Sequence, residues 1–237
     1  MEFASRRRRW VGCSSRSRST TAVERLRARP VSAELRREAA AGGGENLYGV
    51  RWLERPLPQQ TLPMEAWAVV GALEVSRGLM PQLAAAGIPV ERYPSVSALT
   101  KAVAAGAAKP RRIVRVMPAE PTGDPAAAAQ LAVAELLAEL QLLLQDDSLA
   151  DSRFIILTQE ALAVQPGEVP RGFWQAGLWG LLRSARAEYP ARGWMLLDVD
   201  AAPASKAALL PALAAQDEGE AALRGGIRYA PSLLPCS

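Results

Sequence analysis

The sequence predicts an α/β fold: a truncated, Rossmann-like, mostly parallel sheet with helices on both faces. Three observations predict it. Short, mostly apolar runs recur at 67–71, 113–117, 154–158 and 194–199. They are too short for helices and too apolar for one-sided strands, so they read as strands buried on both faces. Segments of helical periodicity alternate with them, the pattern of successive right-handed β-α units around a parallel sheet. Glycines and prolines punctuate the boundaries between the two kinds of segment.

Each element follows in order. Leu47 to Glu54 alternates like a half-buried strand, with Tyr48, Val50 and Trp52 opposite Leu47 and Leu53. Pro56, Pro58 and Pro63 mark a loop, and Trp67–Gly71 is the first core strand. A helix is predicted over 76–86, stopped by Gly87, then a strand over 88–93. A second helix over 95–105 ends at Gly106, and 113–117 is a core strand. The clearest helix spans 124–145. Asp124 offers an N-cap with Pro125 at the first helical position, and Val133, Leu136, Leu137, Leu140, Leu143 and Leu144 share one face. Glu135 and Glu139 sit together on another face. The stripe is too short, and too poor in paired flanking charges, for a coiled coil. After the strand at 154–158, a helix over 172–188 carries Trp174, Gly177, Leu178, Leu181 and Ala185 on one face, and Pro190 stops it. A core strand at 194–199, a short helix over 205–215 and a last strand over 220–229, kinked at Gly225-Gly226, complete the body. No apolar run approaches the ~18 residues of a membrane span.

The chain has 237 residues, 49% hydrophobic and 22% charged, which suits one domain plus a tail. Charge is uneven. Residues 1–38 hold eleven Arg and four Glu, a net of +7, which leaves −3 for the rest of a +4 chain. Low apolar content there predicts a disordered Arg/Ser-rich arm or linker over 1–45, bounded by Gly42-Gly43-Gly44 and followed by the folded body over 46–237. Ser5-Arg6-Arg7 and Val11-Gly12-Cys13 hint at export signals but lack the apolar stretch of about 7–15 residues that export needs. A transit peptide fits the composition, and nonspecific phosphate binding fits the Arg run. A solvated linker, or sequence belonging to a neighbouring region of a longer protein, fits it best.

The chemistry search is mostly exclusion. The chain has no histidine, which removes His-based triads, His-ligated metals and His acid/base work. Cys13 and Cys236, near opposite ends, make neither a zinc framework nor a plausible structural disulfide. The dinucleotide fingerprint fails: after Gly71 come Ala72, Leu73 and Glu74, and the following glycine is Gly78. Glu74 would set a carboxylate where a phosphate should sit. The tyrosine–lysine pair of short-chain reductases, spaced by four, is absent. The residues four places after Tyr48, Tyr93, Tyr189 and Tyr229 are Trp52, Ser97, Gly193 and Leu233, and the lysines are Lys101, Lys109 and Lys206. There is no G-x-S-x-G elbow, and the stretch from Gly106 to Pro110 is no phosphate loop. Of the carboxylate pairs, Asp146-Asp147 reads as a solvated helix end. Asp198 and Asp200 lie at the C-terminal end of a strand, where α/β sites form, without evident further metal ligands.

The stretch from Gln175 to Pro190, QAGLWGLLRSARAEYP, followed by Trp194-Met195-Leu196-Leu197-Asp198-Val199-Asp200, resembles the ketoreductase region of modular type I polyketide synthases, in its amino-terminal, structural half. Leu47 to Trp52, Leu149 to Arg153 and Leu223 to Pro231 are similar to that family's opening strand, lead-in and exit, so the resemblance covers about residues 46–231. It implies a truncated Rossmann fold without cofactor, which supports a following catalytic half carrying the glycine fingerprint and the Ser, Tyr and Lys. The chain stops at Ser237, where that half would begin. Trp179, Arg183 and Glu188 match the motif helix and carry no implied catalytic role. Gly177 and Gly180, each costing about 1 kcal/mol against Ala in a helix, suggest close approach by another backbone.

The expectation is therefore a noncatalytic structural subdomain of a β-ketoacyl reductase, with no catalytic, cofactor-binding or metal-ligating residue of its own. NADPH is expected in the missing catalytic half. The implied partners are that half, neighbouring synthase domains and, indirectly, an acyl carrier protein, with neither membrane nor nucleic acid, in the cytoplasm. Two alternatives stand: a stand-alone divergent α/β enzyme, a reductase or a hydrolase working through Asp198 and Asp200, or an Arg-armed polyanion-binding module.

Overall fold

The computed structural model describes residues 48–58, 64–71, 78–215 and 219–235. The arm expected over 1–45 lies outside the described residues. Gly49–Leu234 forms one compact unit and carries the fold.

Its strands are β1 (Tyr48–Arg55), β2 (Trp67–Val70), β3 (Val90–Tyr93), β4 (Arg112–Val116), β5 (Arg153–Gln159), β6 (Met195–Val199), β7 (Glu220–Arg224) and β8 (Ile227–Pro235). They form one sheet in the order β1-β8-β7-β6-β5-β4-β2-β3. From β3 to β7 every neighbouring pair is parallel, and β8 turns back antiparallel on β7. The direction of the winding reverses between β2 and β4, with β3 alone beyond β2. This is a doubly wound sheet with one wing cut to a single outer strand.

The helices are α1 (Leu79–Ala85), α2 (Val96–Ala104), α3 (Pro125–Gln145), α4 (Ala176–Glu188) and α5 (Pro203–Ala214). Alternate strand residues serve opposite layers. Ala68, Val70, Ile113, Phe154, Ile156 and Leu196 meet α2, α3 and α4 in one core. Trp67, Val69, Val114, Ile155, Met195 and Leu197 meet α1 and α5 in the other. Burial on both faces is why these strands carry almost no alternation in sequence.

Local starts and stops obey their residues. Ser95 caps α2 by accepting from the Ala98 amide at 3.2 Å, and Asp124 caps α3 by accepting from Ala127 at 2.9 Å. On α3, Leu136, Leu140 and Leu143 are buried as expected, Val133 and Leu144 partly so, and Leu137 faces outward. The helix is long and apolar enough, by length and composition, to cross a membrane, although no uninterrupted apolar run suggests it. Here it packs against the sheet and sends Glu135 and Glu139 to Arg115.

Three local expectations need correction. The last strand is a hairpin, not one kinked strand: β7 and β8 are joined by Gly225 (φ 58°) and Gly226 (φ 85°). Two successive positive φ angles make the tight turn whose twist suits a hairpin. The helix predicted over 76–86 begins at Leu79 in the structure, with 72–77 outside the described residues. Gly177 does allow a close approach, but by a side chain. A Cβ there would lie 2.9 Å from Val133 Cγ2 on α3, whereas Gly180 has nothing within 4 Å.

Candidate functional site

In this fold class ligands bind outside the carboxyl ends of the strands, above all where the winding reverses. Here that place lies between β2 and β4. Gly71 ends β2 with φ 132°, and a Cβ on it would lie 2.7 Å from the Val116 carbonyl oxygen. The Arg115 guanidinium closes over the same point. Its Nε donates to both Glu139 oxygens at 3.1 Å, Nη2 lies 3.7 Å from Glu135, and Nη1 donates to the Val116 carbonyl at 3.3 Å. Burial pushes the Glu139 carboxyl above its ordinary value, against the opposing pull of Arg115. The two glutamates on one side of α3 thus hold an arginine down over the reversal point. Ala72, Leu73 and Glu74, on which the fingerprint argument rests, lie outside the described residues.

Further along the same edge stands a buried polar network centred on Asp198, one member of the candidate carboxylate pair. Asp198 is fully buried in β6. Its Oδ1 accepts from Thr158 Oγ1 at 2.6 Å and from the Ala161 amide at 2.9 Å, and its Oδ2 accepts from Arg224 Nη2 at 2.7 Å. Arg224, at the end of β7, also pairs through Nε with Glu168 and donates to the carbonyls of Leu162 (2.9 Å) and Leu223 (3.0 Å). Burial would lower the guanidinium's affinity for its proton. The Asp198 and Glu168 carboxylates outweigh that and hold it above its ordinary value. Glu168 in turn accepts from the amides of Val164 (2.8 Å) and Gln165 (3.0 Å).

The network pins the β5–α4 connection over the strand ends. Gly172 closes this connection by donating to the Glu160 carbonyl at 2.9 Å, so tightly that a Cβ on it would lie 2.0 Å from the Gln159 carbonyl oxygen. Buried Gln175 accepts from the Gln159 amide at 3.2 Å and donates to the Pro118 carbonyl at 3.0 Å. Asp200, the other member of the pair, accepts from the Gly225 amide at 2.9 Å and the Ala202 amide at 3.4 Å, setting the hairpin and the start of α5. The two aspartates therefore have separate hydrogen-bonding duties. Among the described residues no group of three or more His, Cys, Asp or Glu side chains could hold a metal ion.

The motif helix belongs to the same construction. Trp179 donates from Nε1 to Thr158 Oγ1 at 3.1 Å and packs edge-on against Trp52, with centroids 6.0 Å apart. Arg183 lies over the Trp179 ring at 5.6 Å and grips Glu220 through Nε and Nη2. That bond holds its pKa above the ordinary arginine value. Glu188 ends α4 on the surface.

The tyrosines show no base-activated pattern. Tyr93 hydrogen-bonds to Glu91, and burial, this bond and the Glu91 charge push its hydroxyl up to about 12. A catalytic tyrosine requires the opposite shift. Tyr229 accepts from Gln165 at 2.9 Å. Tyr48 and Tyr189 are exposed. Among the described residues no hydrogen bond links a lysine to a tyrosine hydroxyl; Lys101 and Lys206 lie on α2 and α5, and Lys109 precedes β4.

Sequence reasoning found Asp198 but missed Thr158, Glu168, Gln175 and Arg224. One signal was available: a carboxylate inside an apolar core strand needs a buried cation, and Arg224 ends the neighbouring apolar run.

Comparison with known proteins gives the family and the fold. Residues 50–233 match the family described as "Polyketide synthase extender module SpnB, Rossmann fold domain". The chain is 38% identical over 213 residues to the spectinabilin polyketide synthase system protein NorA of Streptomyces orinoci, covering 89% of this chain and 11% of that protein. It is 36% identical over 217 residues to polyketide synthase GfsA of Streptomyces halstedii, covering 92% and 3%. It therefore spans only a small part of the curated relatives it matches. Among solved structures, the first ketoreductase of the tylosin polyketide synthase superposes with a TM-score of 0.60 at 23% identity, covering 80% of this chain and 41% of that one. A C2-type ketoreductase from a modular polyketide synthase gives 0.59 at 20%, covering 79% and 43%. At these identities the structures speak for the fold alone, while the match over 50–233 speaks for descent: the chain belongs to the Rossmann-fold domain family of polyketide synthase extender modules.

Proposed function

We propose that residues 46–237 are the noncatalytic structural subdomain of a polyketide synthase β-ketoacyl reductase. It supports a separate catalytic half that binds NADPH and reduces a β-ketoacyl thioester carried on an acyl carrier protein in the cytoplasm. The observation that carries this reading is the Asp198–Arg224–Glu168 network. It occupies the strand edge at which a cofactor or substrate would bind, and each of its charges is committed to another group of the fold. The closed reversal point under Arg115 and the missing tyrosine–lysine pair support it. None of the described residues is assigned to catalysis, cofactor or metal.

The test is equilibrium binding. NADPH titrated into the purified 237-residue chain should leave its nicotinamide fluorescence unenhanced and the protein's melting temperature unmoved. Saturable binding, abolished by replacing Asp198 and Asp200 with Asn in a variant that still folds, would favour a stand-alone enzyme instead.

A further inference from the structure

We propose that the opposite edge of the sheet carries an oxyanion-binding site suited to a compact, multivalent anion of the phosphate class. A cleft of about 600 Å³ opens where β4, β5, β6 and β7 begin. Arg111, Arg112, Arg153, Arg186 and Arg192 line it, against the carboxylates of Glu65 and Asp151.

Three of these arginines already have structural work. Arg192 donates to the Leu144 carbonyl at 3.2 Å and Arg153 to the Ala215 carbonyl at 2.5 Å, each at a helix end, and Arg186 lies 3.3 Å from Glu220. The first two contacts answer the negative ends of helix dipoles, and the third is an ion pair. Arg111 and Arg112 differ. They share one carboxylate, Glu65, at 3.9 Å and 3.2 Å, and Glu65 is itself 40% exposed. The Arg112 side chain is 4% exposed, lies 5.2 Å over the Trp67 ring, and has an Nε with no hydrogen-bond partner. A buried guanidinium donor without an acceptor is costly. Burial lowers the pKa of Arg112, Glu65 offsets this, and the neighbouring Arg111 charge opposes Glu65.

Arg111 and Arg112 thus set two adjacent positive charges against the single carboxylate of Glu65 within ion-pair distance. The flat fork of an arginine matches the oxygens of a phosphate group, and two forks match a multivalent one. The volume is that of a small-ligand site rather than of a single water. This site does not depend on the structural-subdomain reading.

The test is amide NMR of the full chain titrated with inorganic pyrophosphate at low and at physiological salt. The expected result is a saturable, one-to-one shift of the Gly193 and Gly219 amides, weakened at least tenfold in Arg111→Ala. That side chain is 55% exposed, so the fold should tolerate its removal. A milder Arg111→Lys should retain part of the affinity. The proposal is overturned if the two glycine amides do not move, if they move equally in Arg111→Ala, or if shifts are confined to the Arg6–Arg9 stretch.

Discussion

The two edges of the sheet are built on opposite principles. At the carboxyl edge, Asp198 is fully buried, yet it has three donors, one of them an arginine that a second carboxylate also holds. At the amino edge, Arg112 is nearly as buried but has one half-exposed carboxylate, shared with Arg111, and a donor atom left over. In catalytic members of this fold class the carboxyl edge is kept open for ligands. Here the described residues set charge pairs along it, and the cleft of about 600 Å³ lies at the amino edge. The fate of a buried charge is set by the partners within its reach, not by burial alone.

The comparison can be broken most forcefully at Asp198. Asp198→Asn leaves Arg224 with Glu168 as its remaining carboxylate and should cost about 1.5–3 kcal/mol in urea unfolding. Asp200→Asn should cost only about 1 kcal/mol, the worth of the amide bonds it receives. A small effect at Asp198 would mean that the carboxyl edge is not held by this charge. Arg112→Met is the counterpart at the amino edge. Removing a poorly compensated buried charge while keeping its volume should change stability by no more than about 1 kcal/mol. If it cost as much as Asp198→Asn, the two edges would be alike after all.

Glycine substitutions sharpen the picture on a smaller scale. Gly180→Ala should raise stability by about 0.5–1 kcal/mol, because helix propensity improves and the added methyl meets nothing. Gly177→Ala should forfeit that gain, because its methyl would press on Val133. The ordering of the two melting temperatures is the check.

The smallest effect concerns Tyr93, on the outer strand β3. Its folded pKa is raised to about 12 from an ordinary 10.0, so the folded state holds the proton longer than the unfolded chain. The stability it contributes is complete below pH 10 and is lost as pH rises through 12. Ultraviolet titration should show a late tyrosine transition that Tyr93→Phe removes and Glu91→Gln moves down.

Much of this was readable in the sequence, and the reasons differ by element. The core strands were visible because a strand buried on both faces carries few polar positions to confuse the pattern. Helix α3 was visible because Asp124, Pro125 and the leucine stripe agree with one another. The β7–β8 hairpin was not. A glycine pair inside an apolar segment serves a kink and a tight turn equally well until the register of Ala222 with Tyr229 is known. The role of Asp198 was hidden for a related reason. Its partners Thr158 and Arg224 are distant in sequence and meet it only because β5, β6 and β7 are neighbours. Gly180 misled because helix glycines imply close packing only where something approaches.

The chain is proposed to support a reductase without being one. The most direct measurement is NADPH oxidation with a β-ketoacyl thioester. It is made on the purified chain alone, then on the chain mixed with a separately expressed catalytic half that bears the glycine fingerprint and the Ser, Tyr and Lys. No turnover above the uncatalysed rate is expected for the chain alone, and higher turnover by the catalytic half when the chain is present. Saturable turnover by the chain alone, or a catalytic half indifferent to its presence, would contradict the proposal.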